Sequence, residues 1–263
     1  MSEEKEYTWI IPLVNFKSEI NRLEIDSETC LKKMNRRELA KVKILADNYN
    51  QMQKLSLLAA THALELHGKD ALALAEKPVL ALRLMKRGDV RYSVSFRIYA
   101  RGKGIRAVAT GYGKLDFSMN VYSLCETETR DLQQLMPFVR GLDKKPYLKF
   151  PIEKFTETYE KINSEDKIVD FMITFESLVF YDAGDLGRKG TSMAIAVSML
   201  LGKNQKERSR IRSKMITAYD IRNAKVHGLA RKMEEYRKKE IIPELAVEVE
   251  DYLRRSLRKY VEE

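Results

Sequence analysis

Apolar and polar positions change their rhythm twice along this chain. Over residues 36–67, Leu39, Val42, Leu45, Ala46, Tyr49, Met52, Leu55, Leu58 and Ala59 recur at three- and four-residue spacing. That is the period of one helix face, and Gly68 follows as a stop signal. Residues 71–85 continue in helical text, which Pro78 is expected to break or start. Over residues 90–100 (VRYSVSFRIYA) the period falls to two. Val90, Tyr92, Val94, Phe96, Ile98 and Ala100 share one side, with Arg91, Ser93, Ser95 and Arg97 on the other, so a half-buried strand is predicted. Residues 101–104 (RGKG) read as a turn, and 105–109 and 115–124 as partner strands. Gly102, Gly104, Gly111 and Gly113 follow neither a dinucleotide nor a P-loop pattern, so hairpin turns explain them better. Upstream, YTWIIPLVNF (7–16) reads as a strand interrupted by Pro12, which places it at a sheet edge.

After Thr127 the helical period returns and stays. Helices are predicted over 130–140, 152–162, 166–181 (opened by Ser164 as N-cap), 191–201, 205–226 and 230–262, the last interrupted at Pro243. The expected fold class is α+β: a mixed helix and antiparallel-strand domain over 1–145, then an all-α bundle over 146–263, with the boundary in the break at 141–151. There is no internal repeat.

Composition narrows the function classes. With 263 residues, 44% of them apolar, the chain is long enough for a packed core. Met1 is followed by SEEKE, which is no signal peptide. The most apolar stretches, 168–181 and 193–201, fall short of the ~18 residues of a membrane span. Cys30 and Cys125 form neither a disulfide framework nor a metal-ligand spacing, so a cytoplasmic protein without cofactor or metal is expected. His62 and His67, placed on one predicted helix at i, i+5, lack nearby ligands and make a poor metal pair.

Charge adds a location. Residues 186–239 hold fifteen Lys and Arg against four acids, a surplus of eleven where the whole chain carries ten. A positive field confined to about one fifth of the chain suits either a phosphate backbone or a solvated helix face. Arg208, Arg212, Lys225, Arg231 and Lys232 are the candidate nucleic-acid contacts. In the same region lies YDIRNAKVHG (219–228). Asn223 and His227 are four apart and share a helix face, Tyr219 adjoins Arg222 and Asn223, and Gly228 would let the last turn open so that Arg222 and His227 approach one site. Histidine suits proton transfer near neutral pH, arginine clamps non-bridging phosphate oxygens, and asparagine positions an attacking hydroxyl. Such a trio suits a phosphodiester, and in RNA the 2′-hydroxyl would be the nucleophile, so no metal is needed. The plain alternative is a histidine stabilised by the helix C-terminus. Glu176, central in the apolar helix 166–181, is read first as a structural ion-pair partner.

The stretch YDIRNAKVHG resembles the arginine–histidine signature of the HEPN superfamily. Together with LKFPIEKFTETYEKINSEDKIVDFMITFESLVF (148–180) and MLLG (199–202), it is similar to Apea-like HEPN domains over roughly residues 148–239. The resemblance implies a helical bundle that dimerises, with the motifs of two subunits meeting at a cleft. It implies metal-independent endoribonuclease activity in prokaryotic defence, toxin–antitoxin pairs or RNA processing. His227 would then be the acid/base residue, Arg222 the phosphate clamp, Asn223 the positioning residue, with Glu176 and Tyr219 in support. RNA, a second copy of the chain, and an antitoxin or defence-system protein are the partners it implies. Non-catalytic members that only bind nucleic acid or dimerise are the alternative.

Overall fold

The computed structural model describes residues 8–67, 71–98, 107–108, 120–181 and 189–263. The chain divides into two compact units, Met1–Arg140 and Gly141–Glu263. It is α+β, with an antiparallel sheet in the first unit and helices throughout the second.

Among the described residues the first unit has eight strands: β1 (Thr8–Pro12), β2 (Phe16–Ser18), β3 (Arg22–Glu24), β4 (Thr29–Lys33), β5 (His62–His67), β6 (Ser95–Ile98), β7 (Ala107–Val108) and β8 (Tyr122–Leu124). Six form one sheet in the order β3-β4-β5-β1-β6-β7, every described pairing antiparallel. β2 and β8 pair in parallel, Phe16 opposite Tyr122. The described helices of the unit are α1 (Arg36–Ala46), α2 (Gln51–Leu58), α3 (Ala71–Met85) and α4 (Thr129–Arg140). Ile10, Ala63 and Phe96 form a core cluster with Val42, Leu45 and Leu57 of α1 and α2. Residues of opposite parity in β1 and β5 (Trp9, Ile11, Leu64, Leu66) are buried too, and α3 packs on both strands.

Two expectations are corrected. β1 is interior to the sheet, not at its edge, since it pairs with β5 on one side and β6 on the other, and its apolar run on both faces fits a strand covered above and below. Pro12 is tolerated there for a local reason. Leu13 N–H donates to His62 O, so Pro12, one residue earlier, turns its missing donor toward β6. Pairing with β6 has already stopped at Ile10–Phe96, and it resumes one register step displaced at Val14–Arg91. The second correction concerns residues 62–67, which are a strand and not the end of a helix. Asn50 and Asn35 cap two short helices instead of one long one. His62 and His67 consequently project from opposite faces of β5. His62 is buried between Thr61 Oγ1 (2.9 Å) and Ile20 O (3.1 Å), and burial pushes its pKa down. Pro78 neither breaks nor starts α3, which runs through it. Tyr122–Leu124 pairs with β2 rather than with the strands nearest in sequence. The predicted turn at 101–104 and Gly111 and Gly113 lie outside the described residues.

The second unit holds α5 (Lys149–Glu157), α6 (Ser164–Val179), α7 (Lys189–Leu201), α8 (Gln205–Val226), α9 (Ala230–Lys238) and α10 (Ile242–Glu262). α6 packs against α5, α8 and α10, and α7 forms an antiparallel hairpin with α8. Asn163, not Ser164, caps α6: its Oδ1 accepts from Glu165 N at 2.8 Å. Pro243 opens α10 instead of interrupting a longer helix. Phe171, Phe175, Met193, Val197, Met215, Ile221 and Leu253 are among the buried residues of this bundle. No helix among the described residues is long and apolar enough to cross a membrane.

Candidate functional site

α8 carries the site residues and has defined ends. Asn204 Oδ1 accepts from Glu207 N at 2.9 Å, closing the N-terminus. At the other end Gly228 adopts φ +66, Leu229 N–H reaches back to Ala224 O at 2.8 Å and Gly228 N–H to Lys225 O at 3.2 Å. This is a Schellman closure, which needs a residue free to enter the left-handed region and stops the helix at His227. α7 lies close to α8 because glycines face it. A Cβ on Gly190 would stand 2.4 Å from the Tyr219 ring, and one on Gly202 2.5 Å from Arg208 Cγ.

Arg222 points into the bundle. Its Nη1 donates to Asn223 Oδ1 at 3.0 Å and its Nη2 to Glu176 at 3.4 Å, while its Cζ lies 5.7 Å from the centre of the Tyr219 ring. Nε is buried and has no hydrogen-bond partner. Two of the five N–H donors of a guanidinium are thus used within the chain. Since arginine only donates, Asn223 is oriented with its oxygen toward Arg222 and its amide nitrogen free to donate elsewhere. Tyr219 is half-buried; burial and the Glu176 carboxylate raise its pKa. Glu176 is therefore the ion-pair partner expected of a carboxylate in an apolar helix, holding Arg222 and Tyr219 together.

His227 is exposed, and its imidazole makes no hydrogen bond or ion pair among the described residues. Its backbone N–H donates to Asn223 O at 3.0 Å. Within one chain Arg222 and Asn223 are joined by side-chain contact, while His227 stands one turn further on without side-chain contact to either. Gly228 ends the helix but does not fold the imidazole back onto Arg222.

Part of the wider basic surface is paired with acids of other helices. Glu248 of α10 takes Arg210 and Lys214 (2.5 and 2.6 Å), and Glu165 of α6 takes Lys225 (2.8 Å) and Arg237 (2.7 Å). Of the candidate nucleic-acid contacts, Arg208 donates to Gly202 O at the end of α7, and Lys225 is held by Glu165 and Asp166. Arg212 and Arg231 are exposed; Arg231 reaches Glu235 only at 4.0 Å, and Lys232 reaches Asp220 at 3.9 Å.

No protein-family model, curated protein or solved structure matches this chain. Its functional chemistry has to be read from its own side chains.

Two features of the site escape sequence inspection. Glu165, in the first turn of α6, is buried and grips both flanks of the turn that carries His227. Hydrogen bonds from Arg237 and Lys225 hold its pKa down to about 2 against the cost of burial. Its partners lie 60 and 72 residues away, a separation without a local signal. The second feature is an open cleft of about 310 Å³ between the start of α7 and the last turns of α8. Lys189 and Thr191 line one side, and Ile216, Tyr219, Asp220 and Asn223 the other.

Proposed function

We propose that this protein is an endoribonuclease of HEPN type that uses no metal ion and works as a homodimer. The observation that carries the reading is the end of α8, where an exposed, unpartnered imidazole follows one turn after an arginine–asparagine pair braced by the half-buried carboxylate of Glu176. Arg222 would offer the unused N–H donors of its Nη1 and Nη2 to the non-bridging oxygens of a phosphodiester. The free amide nitrogen of Asn223 would orient the substrate. His227 would take the proton of the ribose 2′-hydroxyl as that oxygen attacks phosphorus. The bond to the 5′-oxygen breaks, and an imidazolium returns a proton to the leaving oxygen. Because Arg222 and His227 of one chain are not in contact, two copies meeting at the ends of α8 would complete the site, each supplying an imidazole. Arg212 and Arg231 supply positive charge for the RNA backbone on approach. A role in prokaryotic defence or toxin-type RNA cleavage, restrained by a partner protein, belongs to the same reading.

A second reading, a nucleic-acid-binding or dimerising module without catalysis, draws support from the inward turn of Arg222 and from the internal pairing of most α8 cations. Labelled single-stranded and structured RNA, incubated with the protein in excess EDTA, separates the two. Cleavage that disappears in His227→Ala and in Arg222→Ala, with binding weakened mainly in Arg222→Ala, supports the nuclease. Salt-sensitive binding without scission supports the module, and scission that survives His227→Ala refutes the assignment of the base.

A further inference from the structure

We infer that the cleft between α7 and α8 is a base pocket that selects guanine beside the cleaved phosphodiester, with Asp220 as the specificity-determining residue. The inference rests on the nuclease reading for its location, since Asn223 belongs both to the cleft and to the arginine–asparagine pair. A nucleotide whose phosphate sits at Arg222 and Asn223 therefore has this cleft for its base. The lining has the character a planar, polar ring requires. Ile216 and Tyr219 offer apolar surface, and every other side chain that lines the cleft beyond Gly190 is a hydrogen-bonding group.

The polarity of those groups chooses the base. Asp220 is the one carboxylate in the lining, and an ionised carboxylate only accepts, through two oxygens side by side. Its ion pair among the described residues, with Lys232, is long at 3.9 Å and half-exposed, which leaves both oxygens open to a closer donor. Guanine alone among the RNA bases presents two adjacent donors, N1–H and the N2 amino group, on its Watson–Crick edge. Adenine and cytosine set an amino group beside a ring-nitrogen acceptor, and uracil flanks its single N–H with carbonyls. On the opposite side of the cleft Lys189 and Thr191 can donate, which suits O6 and N7 of the same base. Lys189 makes no ion pair among the described residues, so its ammonium is free for that contact. A base held flat with its Watson–Crick edge on a side chain is the usual mode of single-stranded RNA readout.

The test uses the full chain and two readouts. In the first, single-stranded RNA oligonucleotides carrying one guanosine in a uridine tract are compared with oligonucleotides in which inosine or adenosine replaces it. Inosine lacks the N2 amino group and keeps O6, N7 and N1–H. Cleavage next to guanosine should exceed cleavage next to adenosine by roughly tenfold to a hundredfold, with inosine between. In Asp220→Asn, which keeps the size and turns one acceptor into a donor, the three rates should converge. In the second readout, guanosine monophosphate and adenosine monophosphate are titrated and followed by NMR, with no cleavage required. Preferential binding of the guanine nucleotide that disappears in Asp220→Asn supports the pocket even if no RNA is cut, in which case the nuclease reading fails and the pocket stands. RNA cleavage indifferent to the base, or a guanine preference unchanged in Asp220→Asn, overturns the pocket and leaves the nuclease reading intact.

Discussion

Replacing Glu165 with glutamine should loosen the turn that carries His227 at both of its flanks. The carboxylate grips Lys225 on the last turn of α8 and Arg237 on α9, so the chain between them is pinned at two points to the start of α6. These partners hold the carboxyl at about 2 instead of its ordinary 4.5. At about 1.4 kcal/mol for each tenfold in acidity, that difference corresponds to about 3 kcal/mol. The Glu165 side chain is 10% exposed but that of Arg237 is 52% exposed, and solvent screening at the open end reduces the figure to about 1–2 kcal/mol. A folded-state pKa below the unfolded one gives stability that is complete above about pH 4.5 and is lost as pH falls through about 2. Urea unfolding of the parent and of Glu165→Gln between pH 7 and 2.5, followed by far-UV circular dichroism, measures this directly. The variant should be less stable by about 1–2 kcal/mol at neutral pH, and the gap should shrink steadily below pH 4.5. Equal stability at pH 7, or a gap that stays constant down to pH 2.5, would refute the clamp.

Three further outcomes follow from the packing of α7 and α8. Gly190→Ala should destabilise by about 1–3 kcal/mol despite the better helix propensity of alanine, because its Cβ would press on the Tyr219 ring at 2.4 Å; a thermal melt reads this, and an unchanged melting temperature contradicts the close approach. Gly228→Ala meets no neighbour within 4 Å, so its cost of about 1 kcal/mol is that of holding an L-residue at φ +66; Gly228→Asn should recover part of it in the same melt. His227→Ala should leave stability within about 0.5 kcal/mol while lowering RNA cleavage by at least about a hundredfold; a large loss of stability would mean that the imidazole is packed, not exposed.

The helical half of the chain is far more legible in its sequence than the sheet. α8 has the bounds read from periodicity, since Asn204 before it and Gly228 after it are strong local punctuation. β5 was hidden because HALELH is made of good helix formers, and its six residues are too few for a period of two to outweigh the helical text before it. β1 misled in a different way: Pro12 suggested an edge strand, but its missing donor faces β6 where that pairing has already stopped. In the site, Arg222 and Asn223 were legible as neighbours, and the support of Glu176 was read from the cost of burying a carboxylate. The pairing of part of the basic stretch with distant acids was not legible. Glu165 and Glu248 lie outside residues 186–239, and only the packing of α6 and α10 brings them to α8. Counting charge along a sequence overstates the field that a ligand meets.

The parallel pairing of β2 with β8 sets an order of events in folding. Phe16 and Tyr122 stack with ring centres 5.8 Å apart and planes 10° from parallel, across a separation of about a hundred residues. Closing so long a loop is entropically costly before any contact rewards it, and such non-local pairing slows a domain. The hairpin of α7 and α8 needs only the short connection at Gly202–Asn204 to form. The unit that leaves the ribosome first is thus the one whose closure waits longest, with Phe16 left unpaired until Tyr122 has been made.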